Sequence, residues 1–222
     1  MGRVRVLIGP DAALPEVYAA SRSPWLRSNM VATVDGATTG SSGTSKTINS
    51  DADSEVFALL RELADVIIVG AGTARSENYA PNPKPMVVVS RSASVPESLL
   101  EGEHGPVLLA TVSRADKLDH ARELLGPDNV LVLGSHRVDL AELRRLLEAR
   151  GYQQLLAEGG PHLLRDLLDQ GCVDEVDTTV VPQLIGGTHP RMLDGPPVDV
   201  PLRLHTLVEQ DGTLLARWLV DR

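Results

Sequence analysis

Residues 153–168 read "QQLLAEGGPHLLRDLL", and the rest of the chain is organised around this stretch. An apolar run ends at Ala157 and the turn Glu158-Gly159-Gly160 follows. A leucine-rich helix starts at once, with Pro161 at its first position, where the missing N–H has no intrahelical partner to lose. A strand that feeds a helix through glycines turns free N–H groups and the positive end of a helix dipole toward an anion. The same glycines also make a tight connection with no ligand, so the turn alone supports both readings.

Outward from it, strand-like runs recur at 3–8, 26–34, 66–70, 86–90, 106–110, 129–133, 154–157, 173–181, 202–209 and 213–220. The middle runs are short and continuously apolar, which suits parallel strands covered on both faces. The last two alternate around Asp211-Gly212, a hairpin signal, with Leu202, Leu204, Thr206 and Val208 set against Leu214, Ala216, Trp218 and Val220. Three helices stand out. The first is capped by Ser50 with Asp53 three residues on, and places Val56, Leu59, Leu60 and Leu63 on one face. The second runs from Asp139 with Leu140, Leu143, Leu146 and Leu147 inward, and the third from Pro161 to Gly171. Strands separated by such helices predict an α/β fold, a three-layer sandwich around a mainly parallel sheet with an antiparallel C-terminal hairpin.

With 222 residues and 42% hydrophobic content the chain can bury one sizeable core, so a single domain over residues 1–222 is expected. The net charge of −9 argues against a nucleic-acid partner, which requires clustered Lys and Arg. No apolar run is long enough for a membrane span, and the N-terminus alternates charged and β-branched residues where a leader would be apolar. The reading is a cytoplasmic chain. Cys172, the single cysteine, excludes an internal disulfide or a multi-cysteine zinc cage and reads as a small buried apolar residue or else a lone nucleophile; no metal is expected.

A second glycine turn lies in "IIVGAGTARSENYAPNPKP", residues 67–85. Gly70-Ala71-Gly72 ends a strand, but Arg75 stands where a dinucleotide fingerprint needs Gly or Ala. Pro81, Pro83 and Pro85 forbid a long crossover helix, so an ordinary Rossmann unit is not expected. The Cβ-free backbone still lets a phosphate or ribose approach, with the Thr73 hydroxyl beside it. Residues 31–50, mostly Gly, Ser, Thr and Ala, read as a long loop: either a lid over a site or a surface excursion.

The chain resembles the reductase domain at the C-terminal end of bifunctional RibD riboflavin-biosynthesis enzymes, which is dihydrofolate-reductase-like in fold. The resemblance rests on "VDG" (34–36), "SGTSKTINS" (42–50), "LLRELADVIIVGAGT" (59–73), "AEGGPHLLRDLLDQGCVDEV" (157–176) and "VPQLIGG" (181–187). It implies an NADPH-dependent reductase that converts the ribose of a phosphoribosylamino-pyrimidine to a ribityl chain, and a homodimer. It also implies that the turn Glu158, Gly159, Gly160, Pro161 with His162 and Leu163 cradles the cofactor pyrophosphate. Val31, Thr47, Gly70, Ala71, Gly72, Thr73, Glu77 and Ser90 match further cofactor positions; Thr47 stands where the family usually has tryptophan. Arg91, just past a strand end, suits the 2′-phosphate or is a plain solvated arginine.

For the substrate the resemblance points to Ser45, Arg61 and Glu158. Asp53, where dihydrofolate reductases grip the pteridine, is either a substrate contact or a helix-capping partner. Asp35 is either a contact or a turn former. Asp53 and Glu158 are the catalytic candidates. After Thr73 the family continues with an acidic pair, a proline, a leucine and an arginine, whereas this chain has Glu77-Asn78-Tyr79-Ala80-Pro81, which opens the question of the substrate phosphate. The companion deaminase is not expected, because its zinc site needs more than one cysteine. Two rival readings stay open: a dihydrofolate or pteridine reductase, and an NADP-binding sensor without turnover.

Overall fold

The structure is a computed structural model that describes residues 4–221. Its strands are β1 (Arg5–Ile8), β2 (Trp25–Thr33), β3 (Val66–Gly70), β4 (Met86–Val89), β5 (Val107–Thr111), β6 (Val130–Val132), β7 (Gln154–Ala157), β8 (Glu175–Val181), β9 (Leu202–Gln210) and β10 (Thr213–Val220). They form one sheet in the order β1-β9-β10-β8-β2-β7-β3-β4-β5-β6. Every pairing from β8 through β2, β7, β3, β4 and β5 to β6 is parallel. The pairings of β10 with β8, β10 with β9 and β1 with β9 are antiparallel. The apolar middle runs and the alternating last two thus occupy the parallel and antiparallel halves their patterns call for.

Among the described residues six α-helices cover the sheet: α1 (Leu14–Val17), α2 (Asp51–Leu63), α3 (Ala71–Ser76), α4 (Leu118–Leu125), α5 (Leu140–Ala149) and α6 (Pro161–Asp169). The α2 cap forms as its sequence requires, with the Ser50 hydroxyl accepting from Asp53 N at 3.2 Å. On one face, α5 and α6 pack on Leu26, Met30, Ile68, Val87 and Leu108. Leu163, Leu164 and Leu167 of α6 are buried there, each contributing about 2 kcal/mol by area removed from water. Cys172 joins that core at 2% exposure. On the other face α3 and α4 cover Ile67, Val69, Val88 and Leu109, and α1 and α2 cover Leu156, Val208 and Leu215. Register sets Ile67 beside Leu156, so these two clusters share a face and the architecture is three-layered.

The glycine turn at 70–72 launches only a six-residue helix, in agreement with the expectation that no long crossover helix follows it. The helix ends at Ser76, ahead of Asn78 at φ 51° and the three prolines. The hairpin turns at Asp211-Gly212, both at positive φ, as its sequence predicts. Its faces differ from the expected grouping: register sets Val208 opposite Leu215 and Thr206 opposite Arg217, with an irregularity between Arg217 and Trp218. One face of β10 buries Thr213, Leu215 and Arg217; on the other, Ala216 is buried and Trp218 and Val220 pack against the core under α5 and α6, while Leu214 is exposed. A buried arginine is tolerable only when its charge and donors are met. Here Glu175 accepts from Arg217 Nε at 2.9 Å and Nη2 at 2.8 Å.

Candidate active site

The site exists because β7 is short. It sits between β2 and β3, pairing Gln154–Ala157 with Trp25–Ser28 on one side and Leu155–Ala157 with Val66–Ile68 on the other. Beyond Ala157 the chain holds β3 for two more bonds, Glu158 N to Ile68 O at 2.9 Å and Gly70 N to Gly159 O at 2.8 Å, and then turns into α6. β2 runs on to Thr33 with β8 as its sole strand neighbour there. The gap opens at the carboxyl ends of parallel strands, the position where open α/β sheets bind ligands.

The outer part of the gap is a cleft of about 600 Å³. Gly70, Ala71, Gly72 and Thr73 form one wall, and Gly160, Pro161, His162 and Leu163 the other. Both glycines of the 159–160 turn are required. A Cβ on Gly160 would lie 2.3 Å from Thr73 Oγ1; Gly159 has φ +76°, and a Cβ there would lie 2.8 Å from Met30 Sδ. The peptide joining them is cis. No side chain caps Gly160, which leaves the first N–H groups of α6 turned toward the cleft. At the far end lie Arg75, Ser90, Arg91 and Ser92. Arg75 donates to Ser94, whereas the Arg91 guanidinium has no hydrogen-bond or ion-pair partner among the described residues.

The inner part is a pocket of about 430 Å³ that shares Thr73, Gly160, Pro161, His162 and Asp194 with the outer cleft. Asn29, Thr38, Asp53 and Glu158 are its buried polar lining, and of these Asn29 Oδ1 and Asp53 Oδ1 lack a partner. Burial pushes the Asp53 carboxyl above the ordinary carboxylate range, against the pull of a hydrogen bond from Thr179. Beside it Glu158 takes two bonds from Arg61, Nε to Oε1 at 2.6 Å and Nη2 to Oε2 at 2.8 Å, and a third from the Tyr79 hydroxyl at 2.8 Å. Burial and then the Glu158 charge raise the Tyr79 phenol well above its usual value.

The structure brings most of the expected residues to these two spaces. Val31, Ser45, Thr73, Glu77, Asp53 and Glu158 line the inner pocket. Glu77 Oε1 accepts from Ser45 N at 2.8 Å, so the loop after β2 is tied to the end of α3 and stands over the pocket as a lid would. Ser90 and Arg91 line the outer cleft with the glycines. Three expected contacts lie elsewhere. Thr47 meets Ser42 within its own loop at 3.3 Å. Arg61 is turned into Glu158 and is not part of the pocket wall. Asp35 is the turn former of its two readings: it accepts from Thr33 Oγ1, and from Ile185 N at 3.1 Å and Gly186 N at 2.7 Å. Sequence reading did not single out Asn29, Lys46, Phe57, Tyr79 or Asp194 as site residues. Two carried a signal, Tyr79 as an aromatic where the family pattern breaks and Lys46 between Ser45 and Thr47 in a quoted motif; the others are brought in by the fold.

Residues 24–215 match the family model described as the RibD C-terminal domain. The chain belongs to the RibD C-terminal domain family. As a member it is similar to the 2,5-diamino-6-ribosylamino-4(3H)-pyrimidinone 5′-phosphate reductase of Methanothermobacter thermautotrophicus. The two are 31% identical over 188 residues, 79% of this chain and 86% of that one. In fold, this RibD-type domain resembles a crystallised pyrimidine reductase-like protein of Corynebacterium diphtheriae, with TM-score 0.75, 24% identity and 90% and 92% of the two chains covered. It also resembles dihydrofolate reductase from Enterococcus faecalis complexed with NADP(H), with TM-score 0.50, 12% identity and 90% and 98% covered. The dihydrofolate-reductase-like architecture read from the sequence therefore holds. No helix among the described residues of this RibD-type domain is long and apolar enough to cross a membrane.

Proposed function

We propose that this chain is an NADPH-dependent pyrimidine reductase that reduces the ribose of a phosphoribosylamino-pyrimidine to a ribityl chain. One observation carries the reading: a glycine-walled cleft at the strand ends runs directly into a pocket with two buried, unpartnered acceptor oxygens. A reduced dinucleotide fits the cleft by the test of its glycines, since a Cβ at Gly160 would fill the space between the walls. The N–H groups at the start of α6 and the turn at 70–73 would hold its pyrophosphate, with Arg91 and Ser90 toward a 2′-phosphate. Arg75 and Ser92 stand beside that end.

When bound, the nicotinamide supplies a hydride. The chain's own work is placement, exclusion of water and delivery of a proton. Asn29 and Asp53 offer acceptors to the N–H edge of a heterocycle, and the lid held by Ser45 and Glu77 closes the mouth. Asp53, which lines the pocket and whose pKa burial raises, is the group we assign to hold the proton for the reduced centre. Glu158, committed to Arg61 and Tyr79, shapes the wall.

The test is oxidation of NADPH in the presence of the pyrimidine nucleotide and, separately, of dihydrofolate. Turnover of the nucleotide alone is expected; turnover of dihydrofolate alone would replace this reading with a pteridine reductase, and tight binding of NADPH without oxidation by either would favour a sensor. We also propose a homodimer. Its support is the exposed apolar side chains of Val34, just past β2, Leu184, past β8, and Leu214 of β10, exposed by 62%, 73% and 38%. Light scattering should give twice the chain mass, and a monomer mass at micromolar concentration would overturn it.

A further inference from the structure

The inner pocket contains less free positive charge than a phosphorylated substrate calls for. Each basic side chain beside the pocket but one is already engaged. The Arg61 guanidinium is engaged by Glu158 at 2.6 and 2.8 Å and lies against the Phe57 and Tyr79 rings, 4.4 and 5.4 Å from their centroids. His162 faces Asp194, with Nδ1 2.9 Å from its carbonyl and Nε2 3.4 Å from its carboxylate. Lys46 is different. It lines the pocket, and its ammonium has no hydrogen-bond or ion-pair partner among the described residues.

Position agrees with charge. Lys46 sits in the short 3-10 turn Ser45–Thr47, at the exposed rim of the pocket, with Thr38, Thr39, Ser45 and Asn49 also lining it. Asn29 and Asp53 are at the buried end. A pyrimidine whose N–H edge meets Asn29 and Asp53 would carry its sugar outward and its phosphate to the rim. We propose that Lys46 holds the phosphate of the acceptor substrate and so sets the preference for a nucleotide over a nucleoside. This rests on the pyrimidine-nucleotide reading above. An ammonium facing a phosphate dianion, assisted by hydroxyl donors, is a charge-assisted contact.

The test has a binding arm and a turnover arm, both with saturating NADP-type cofactor so that the outer cleft is filled. Calorimetry with ribose 5-phosphate and with ribose, on the native chain, Lys46→Ala and Lys46→Arg, reads the contact without chemistry. The native chain should prefer the phosphorylated sugar, Lys46→Ala should lose roughly tenfold to a hundredfold of that preference, and Lys46→Arg should keep most of it. In turnover, Lys46→Ala should lower the ratio of kcat/KM for nucleotide over nucleoside through KM. If the native chain binds both sugars equally, or Lys46→Ala changes neither preference, the proposal is overturned. If ribose 5-phosphate binds through Lys46 and the nucleotide is not reduced, the reductase reading fails and Lys46 stands as a phosphate contact.

Discussion

Arg61, in the last turn of α2, reaches Glu158, the first residue past β7, through two hydrogen bonds of 2.6 and 2.8 Å, and Tyr79 adds a third from the segment after α3. Three elements distant in sequence meet at one carboxylate whose side chain is 1% exposed. Glu158→Ala strands a guanidinium that is itself 27% exposed, which discounts the cost of a fully buried break. We expect a loss of about 2–3 kcal/mol, read as a lowered urea midpoint at unchanged slope. An unchanged midpoint would show the knot to be incidental.

Gly160→Ala places a methyl 2.3 Å from Thr73 Oγ1, in the wall of the outer cleft. NADP-type cofactor affinity should fall by about tenfold or more, since displaced walls no longer match the pyrophosphate. Because the clash is with one side chain, Thr73→Ala in the same chain should restore part of the loss. The double-mutant cycle would then show coupling. Additive effects would place the damage elsewhere.

Asp53 gives a pH prediction with a definite sign. Its folded pKa lies above the ordinary 3.8, so the folded state holds the proton more tightly than the unfolded state. Below pH 3.8 both states are protonated and burial carries no charge penalty; as pH rises through that value toward the folded pKa, the penalty accrues and persists above it. Asp53→Asn should therefore raise thermal stability at neutral pH, with the gain vanishing in acid, while lowering kcat. A variant less stable than the native chain at neutral pH would contradict this account.

Asp35 behaves in the opposite sense. Hydrogen bonds from Thr33, Gly186 and Ile185 pull its pKa from 3.8 to about 2. Its contribution is complete above 3.8 and is lost as pH falls through about 2. Melting curves between pH 5 and pH 2 should fall more steeply for the native chain than for Asp35→Asn. Parallel slopes would count against the turn-holding role.

Arg91→Ala tests the far end of the cleft. With no partner to abandon, the change should leave the fold intact. KM for NADPH should rise about tenfold with little change for NADH, because only the former carries the 2′-phosphate. An equal effect on both cofactors would remove Arg91 from the 2′-phosphate site.

Much of this protein is local in cause. Apolar runs of strand length, the Ser50 cap, Pro161 at a helix start and Asp211-Gly212 at a turn each act within a few residues, so the ten strands, α2, α5, α6 and the hairpin are legible directly. The short α3 and α4 were not, because six and eight residues give too little periodicity to separate helix from turn. The family resemblance also implies that Gly70–Thr73 and Glu158–Leu163 contact one cofactor.

Sequence order could not say which charges remain free. Arg61 and Lys46 are both basic side chains at one pocket, yet the first is spent on a carboxylate 97 positions away and the second is left unpaired among the described residues. Asp35 and Asp53 share an ordinary pKa, and folding moves one down by giving it donors and the other up by taking water away. Composition and spacing set the strands, the turns and the residues that meet; tertiary packing set protonation and pairing, because desolvation and partner distance exist only once distant segments are brought together.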